Sequence, residues 1–111
     1  MHAAEQNRRA IAVRLPIEAV EHFCQKWGIA QFALFGSVLS PNFRPDSDIG
    51  VLVNFQPGIQ HGLFDIMQME EELSRLFGRD VDLVTRRGVE VSHDGVLRDS
   101  ILSAAEVIYA R

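Results

Sequence analysis

Leu34-Phe35-Gly36-Ser37, a ten-residue gap, then Asp48-Ile49-Gly50-Val51-Leu52-Val53: this stretch decides how the chain folds. A Gly-Ser pair leaves one hydrophobic run and an Asp opens the next. Between them lies a polar segment, Val38 to Asp46, with two prolines, an Asn and a Ser; it reads mostly as loop. A Gly-Ser bend offers backbone N–H groups to a phosphate. Carboxylates at the start of a strand hold a divalent cation beside it. Side chains alternate along a strand, so the residue sharing the face of Asp48 is Gly50, where a second carboxylate would stand.

Working outward, Pro16 suits the start of a helix, and Ile17, Val20, Phe23, Cys24 and Trp27 follow at three- and four-residue steps until Gly28. Ile29 to Phe35 reads as a buried strand, and Ile49 to Phe55 as a second, closed by Asn54-Phe55-Gln56-Pro57-Gly58. Leu63, Ile66, Met67, Glu70, Leu73, Leu76 and Phe77 repeat at helical spacing, with Asp65 and Glu70-Glu71-Glu72 on the expected solvated side. Gly78 ends that helix. Val81 to Thr85 is a third, short strand, and a loop through Gly88 leads to a closing helix from Gly95 or Val96 to Tyr109. The predicted order is helix, strand, strand, helix, strand, helix. It implies an α/β (α+β) fold, a small mixed sheet covered by helices.

Composition narrows the function. The chain has 111 residues, one expected domain (1–111) with a core over about 16–110 and an N-terminal arm over 1–15, in which Ile11 to Leu15 is a short strand or extended arm. Net charge is −4, which is not the basic footprint of a nucleic-acid binder. The single cysteine, Cys24, allows no internal disulfide and reads as a small core residue; with no signal-peptide pattern, a cytoplasmic setting is expected. No apolar run approaches the about 20 residues a membrane span needs. The four histidines are scattered without ligand spacing, and His61 reads as a loop residue.

Asp48 and Asp82 are the candidate metal ligands and catalytic carboxylates, the second on the third strand. Gly36, Ser37 and Ser47 are the candidate nucleotide- and phosphate-binding residues. Asp46 and Asp48 are themselves two apart, but Ile49, Val51 and Val53 need to face the core and so hold the register against that pairing.

Gly36-Ser37, the ten-residue spacer and Asp48 resemble the mark of the nucleotidyltransferase superfamily with the polymerase-beta-like palm, and most closely its minimal nucleotidyltransferase (MNT) branch. Arg44 to Ile49, Val81 to Thr85, and Ile101-Leu102 with Ala104 to Tyr109 carry the resemblance further, over roughly residues 16–110. It implies ATP as substrate, Mg²⁺ as cofactor and, as partner, a HEPN-domain ribonuclease toxin whose tyrosine receives AMP, with this chain as the antitoxin. Two departures stand out: Gly50 in place of the second metal-ligating Asp, and Val38-Leu39-Ser40-Pro41-Asn42 in place of an Arg- and Gly-bearing segment. Losing a shared ligand costs several kcal/mol of transition-state stabilisation, so weakened transfer is expected, with recovery on Gly50→Asp. The alternative is an inactive binding module that masks its partner. A regulatory nucleotide-binding domain unrelated to toxins is a third reading. A homo- or hetero-oligomer through the C-terminal helix is also expected, and direct nucleic-acid binding is not.

Overall fold

The computed structural model describes residues 16–36 and 48–111. The N-terminal arm, Ser37 and Ser47 therefore lie outside the described residues, as does the expected loop between the first two strands. The elements are α1 (Ile17–Trp27), β1 (Ile29–Phe35), β2 (Ile49–Phe55), α2 (Leu63–Phe77), β3 (Val81–Thr85), α3 (Arg86–Glu90), α4 (Gly95–Ala104) and β4 (Glu106–Ala110). They form a four-stranded mixed sheet in the order β3-β2-β1-β4. β1 pairs antiparallel with β2 and with β4, while β2 and β3 run parallel. The helix α2 makes the β2–β3 crossover that parallel neighbours require.

Two of the expectations change here. The closing helix ends at Ala104, and Glu106–Ala110 is a strand that completes the sheet on the free side of β1. Val107, Ile108 and Tyr109 are β-branched or aromatic and suit that pairing better than a helical turn. Of the apolar residues expected on that closing helix, Ile101 and Ile108 are buried, Leu102 is half-buried, and Val107 is exposed on β4. Secondly, the expected loop at Gly88 is the short helix α3, started by Thr85, whose Oγ1 accepts from the Gly88 N–H at 3.0 Å.

The core follows from strand alternation. Ile49, Val51 and Val53 of β2, Phe32 and Leu34 of β1, and Val81 and Leu83 of β3 face α1 and α2. There Val20, Phe23 and Cys24, with Met69 and Leu73, close the layer. Each such side chain removed from water contributes about 1.5–3 kcal/mol. The opposite face carries a smaller cluster of Ala33, Leu52, Val89 and Ile101, rimmed by Phe35, Val84 and Leu102. On α2 the buried residues are Met69 and Leu73, with Ile66, Leu76 and Phe77 packed beside them, while Leu63 and Met67 of the same periodic set face solvent.

The acidic run on α2 is not a uniformly solvated face. Only Glu71 is exposed, paired with Arg75. Glu72 accepts from Lys26 Nζ at 2.9 Å and Trp27 Nε1 at 3.2 Å, tying α2 to α1. Burial raises the pKa of Glu72, but these hydrogen bonds and the Lys26 charge outweigh it and hold the carboxyl below its usual range. Glu70 Oε2 accepts from the Leu83 N–H at 2.9 Å, and Ser74 Oγ from the Val81 N–H at 3.2 Å. These are outward-facing donors of the edge strand β3, which would otherwise be open to another chain.

Glu70→Ala strands the Leu83 donor and is expected to lower stability by about 1–3 kcal/mol, read from urea unfolding. Glu70→Gln, which keeps an acceptor, is expected to recover most of it.

Candidate nucleotidyl-transfer site

The strand registers decide the site. Phe35 of β1 pairs with Gly50 of β2, and Gly50 pairs with Asp82 of β3. The three residues form one row across the sheet, on the face opposite α1 and α2, since their neighbours Leu34, Ile49, Val51, Val81 and Leu83 all enter the larger core. Asp48 lies two residues before Gly50, just ahead of β2, and is exposed like Asp82. The Ile49 N–H bonds the Asp80 carbonyl at 3.0 Å and so locks the entries of β2 and β3 side by side. The sequence-predicted carboxylates thus sit at neighbouring strand entries, with Gly50 between them in the pairing.

Gly36 follows β1 with φ +85°, a left-handed conformation that a side chain disfavours. An added Cβ there would meet nothing within 4 Å among the described residues. Among the described residues, glycine is thus favoured here by the bend and not by crowding. Ser37 and Ser47 lie outside the described residues.

Gly50 is the opposite case. A Cβ built on it would lie 2.7 Å from both Phe35 Cε2 and the Phe35 carbonyl oxygen, and 2.8 Å from Phe35 Cζ. The place where a second carboxylate would begin is filled. Among the described residues no cluster of three or more His, Cys, Asp or Glu side chains is arranged to hold a metal. Asp48 and Asp82 supply hard oxygen donors of the kind magnesium takes. Two carboxylates can meet one ion borne by a nucleotide's phosphates; they do not fit a two-metal centre, which needs a shared third ligand.

Other chemistry-bearing groups fall elsewhere. A cavity of about 430 Å³ opens beside β3, lined by Leu83, Val84, Thr85, Val89, Arg98 and Ile101 among others. It is largely apolar and is lined by neither Asp48 nor Asp82. His61 lies in the loop before α2 as expected, but it does more than sit there. Its Nε2–H donates to the Trp27 carbonyl at 2.8 Å, its Nδ1 is 3.1 Å from Asp65 Oδ2, and its ring packs edge-on against Trp27 and Phe55. Cys24 is fully buried.

The family model described as a nucleotidyltransferase domain matches residues 17–108. The chain belongs to the nucleotidyltransferase-domain family. A Methanocaldococcus jannaschii protein named "Putative protein adenylyltransferase MJ0435" is 31% identical over 80 residues, covering 72% of this chain and 80% of that protein. A solved "putative minimal nucleotidyltransferase" is 32% identical, with a TM-score of 0.62 and 94% of each chain covered. Two toxin–antitoxin structures share the fold at lower identity. One, solved with AMP-PNP, has a TM-score of 0.69 at 19% identity, covering 87% of this chain and 75% of that one. The other, a tri-AMPylated Shewanella oneidensis HEPN toxin in complex with MNT antitoxin, has a TM-score of 0.61 at 17% identity, covering 97% and 73%. The mixed α/β architecture expected from the Gly-Ser…Asp stretch is therefore that of this nucleotidyltransferase family. No helix of the described residues is long and apolar enough to cross a membrane.

Burial, and secondarily the charge of Glu21, pushes the Cys24 thiol from 9.0 up to about 12. Between these values the unfolded chain releases the proton that the folded chain keeps. This contribution to stability is therefore complete below pH 9 and is lost as pH rises toward 12. Urea unfolding on either side of pH 9 is expected to show that decline, and Cys24→Ala to flatten it. A thiol reagent at neutral pH is expected to label Cys24 only after unfolding.

Proposed function

We propose that this chain is the antitoxin of a HEPN-domain ribonuclease toxin, built on a protein adenylyltransferase site that moves AMP from ATP to a toxin tyrosine, with transfer slowed by Gly50. The observation that carries the reading is the row Gly50–Asp82 with Asp48 two residues upstream, on a nucleotidyltransferase domain spanning 17–108. The relative named as a protein adenylyltransferase and the structure of an AMPylated HEPN toxin with its MNT antitoxin support a protein acceptor of that class.

In this reading ATP lays its phosphates at the Gly36-Ser37 bend, which begins at the left-handed Gly36 and whose residue types are those of a phosphate-binding turn. Ser47 is a further phosphate contact at the entry to β2. Asp48, just ahead of β2, and Asp82 on β3 would hold the magnesium that accompanies ATP, which would neutralise phosphate charge there. The tyrosine oxygen attacks the α-phosphorus, the bond from that phosphorus to the bridging oxygen breaks, and pyrophosphate leaves. Asp82, the carboxylate farther from the bend, receives the phenolic proton. Positioning and charge carry such a reaction more than covalent help does, so one missing carboxylate slows it without removing the binding surface.

A second reading has an observation of its own. With Phe35 in the space of the second carboxylate, the chain neutralises its partner by covering it, and nucleotide binding is a remnant.

Co-expression with a HEPN protein encoded beside this chain, then purification and intact mass, tests both. Toxin carrying AMP in the complex supports transfer, and Asp48→Asn and Asp82→Asn are then each expected to cut the modified fraction at least about tenfold with the complex intact. Unmodified toxin in a tight complex without ribonuclease activity supports masking. No complex and no modification would sink the proposal.

A further inference from the structure

We propose that Phe35 is a plug that replaces the missing carboxylate, so that Gly50 and Phe35 form one coupled unit and the metal side of the site cannot be reopened by changing Gly50 alone. The inference goes beyond the antitoxin reading and stands on the strand register, whichever partner the chain meets.

Phe35 and Gly50 are direct partners in the antiparallel pair. The ring atoms Cε2 and Cζ lie 2.7 and 2.8 Å from where a Cβ on Gly50 would be, closer than real Cβ contacts come. The ring therefore lies on the bare α-carbon of Gly50. It is held there because Phe35 packs against the smaller cluster of Ala33, Leu52, Val89 and Ile101. Asp82 is the next residue along the row, one strand spacing away, about 4.8 Å. A cation resting between Asp48 and Asp82 thus meets a hydrocarbon edge where a ligand oxygen would be. Hydrocarbon offers no lone pair and excludes the water that would stand in for one. Glycine and ring are mutually dependent: any side chain at 50 displaces the ring, and a smaller residue at 35 uncovers Gly50. The carbonyl of Phe35, also at 2.7 Å, adds a backbone part to the conflict, so a side chain at 50 also requires a shift of the strand pair whatever residue stands at 35. On this proposal the recovery on Gly50→Asp is limited, because the added carboxylate has first to move a ring anchored in the second cluster.

The test uses the isolated chain without toxin, so its failure leaves the antitoxin reading standing, and failure of that reading leaves this test intact. Thermal unfolding of Gly50→Ala, Phe35→Leu and the double variant forms a cycle. Gly50→Ala is expected to lower Tm by several degrees, and by clearly less when Phe35→Leu is already present; additive losses would overturn the plug. Mn²⁺ titration is the second arm, with calorimetric affinities for the wild type, Gly50→Asp and Phe35→Leu/Gly50→Asp. The double variant is expected to bind Mn²⁺ at least about tenfold more tightly than the wild type and more tightly than Gly50→Asp alone. Equal affinity for the single and double variants, or no gain in either, would overturn the proposal. Should Gly50→Asp not fold, the alanine cycle decides.

Discussion

Everything at this site hangs on the hydrogen-bonded register that sets β1 antiparallel and β3 parallel to β2. Because side chains alternate, the same pairing that sends Leu34, Val51 and Leu83 into the larger core places Phe35, Gly50 and Asp82 in a row on the other face. A slip of one residue would expose the hydrophobic set and bury the carboxylate, so packing energy enforces the geometry of the site. The core thus selects one register, and the register is what gathers residues 35, 50 and 82, far apart in sequence, into one place.

Among the described residues, the two faces of the sheet are covered unequally. α1 and α2 pack the larger core on one face, while on the other α3 and α4 bring Val89 and Ile101 against Ala33, Leu52 and Val84. Asp82, two residues before Val84, stays exposed, as does Asp48 at the entry of β2. At the outer edge of the sheet, Glu70 and Ser74 satisfy two donors of β3 from the same helix that packs the core. The strand bearing Asp82 is held on both sides, by β2 and by α2, which limits its freedom to drift from Gly50.

Much of this was legible in the chain. The bounds of the two strands around the Gly-Ser…Asp stretch, of the first two helices and of the β3 strand follow from hydrophobic period and glycine stops, and the structure has them in those places. What escaped was context. Glu106–Ala110 is strand because β1 has a free side for it to pair with, a fact that no local period records. Thr85 and Gly88 held a readable capping signal for the short helix α3, outweighed by the glycine inside it. Glu70 and Glu72 looked like a solvated run because their partners, the Leu83 N–H, Lys26 and Trp27, lie on other elements. His61, plain in sequence, ties the end of α1 to the start of α2 for the same reason.

By itself the sequence determined the local things. These are the glycine bend at 36, the carboxylates at 48 and 82, the glycine at 50, and the alternation that gives each strand two unlike faces. Those are set by side-chain chemistry and by periods of two and 3.6 residues, which act over a few neighbours. The tertiary structure alone decided which strands lie side by side, and hence that Asp82 stands next to Gly50 and that the ring of Phe35 lies on its α-carbon. Pairing partners are chosen by the packing of the whole core, and that choice is a property of the assembled sheet and not of any one segment.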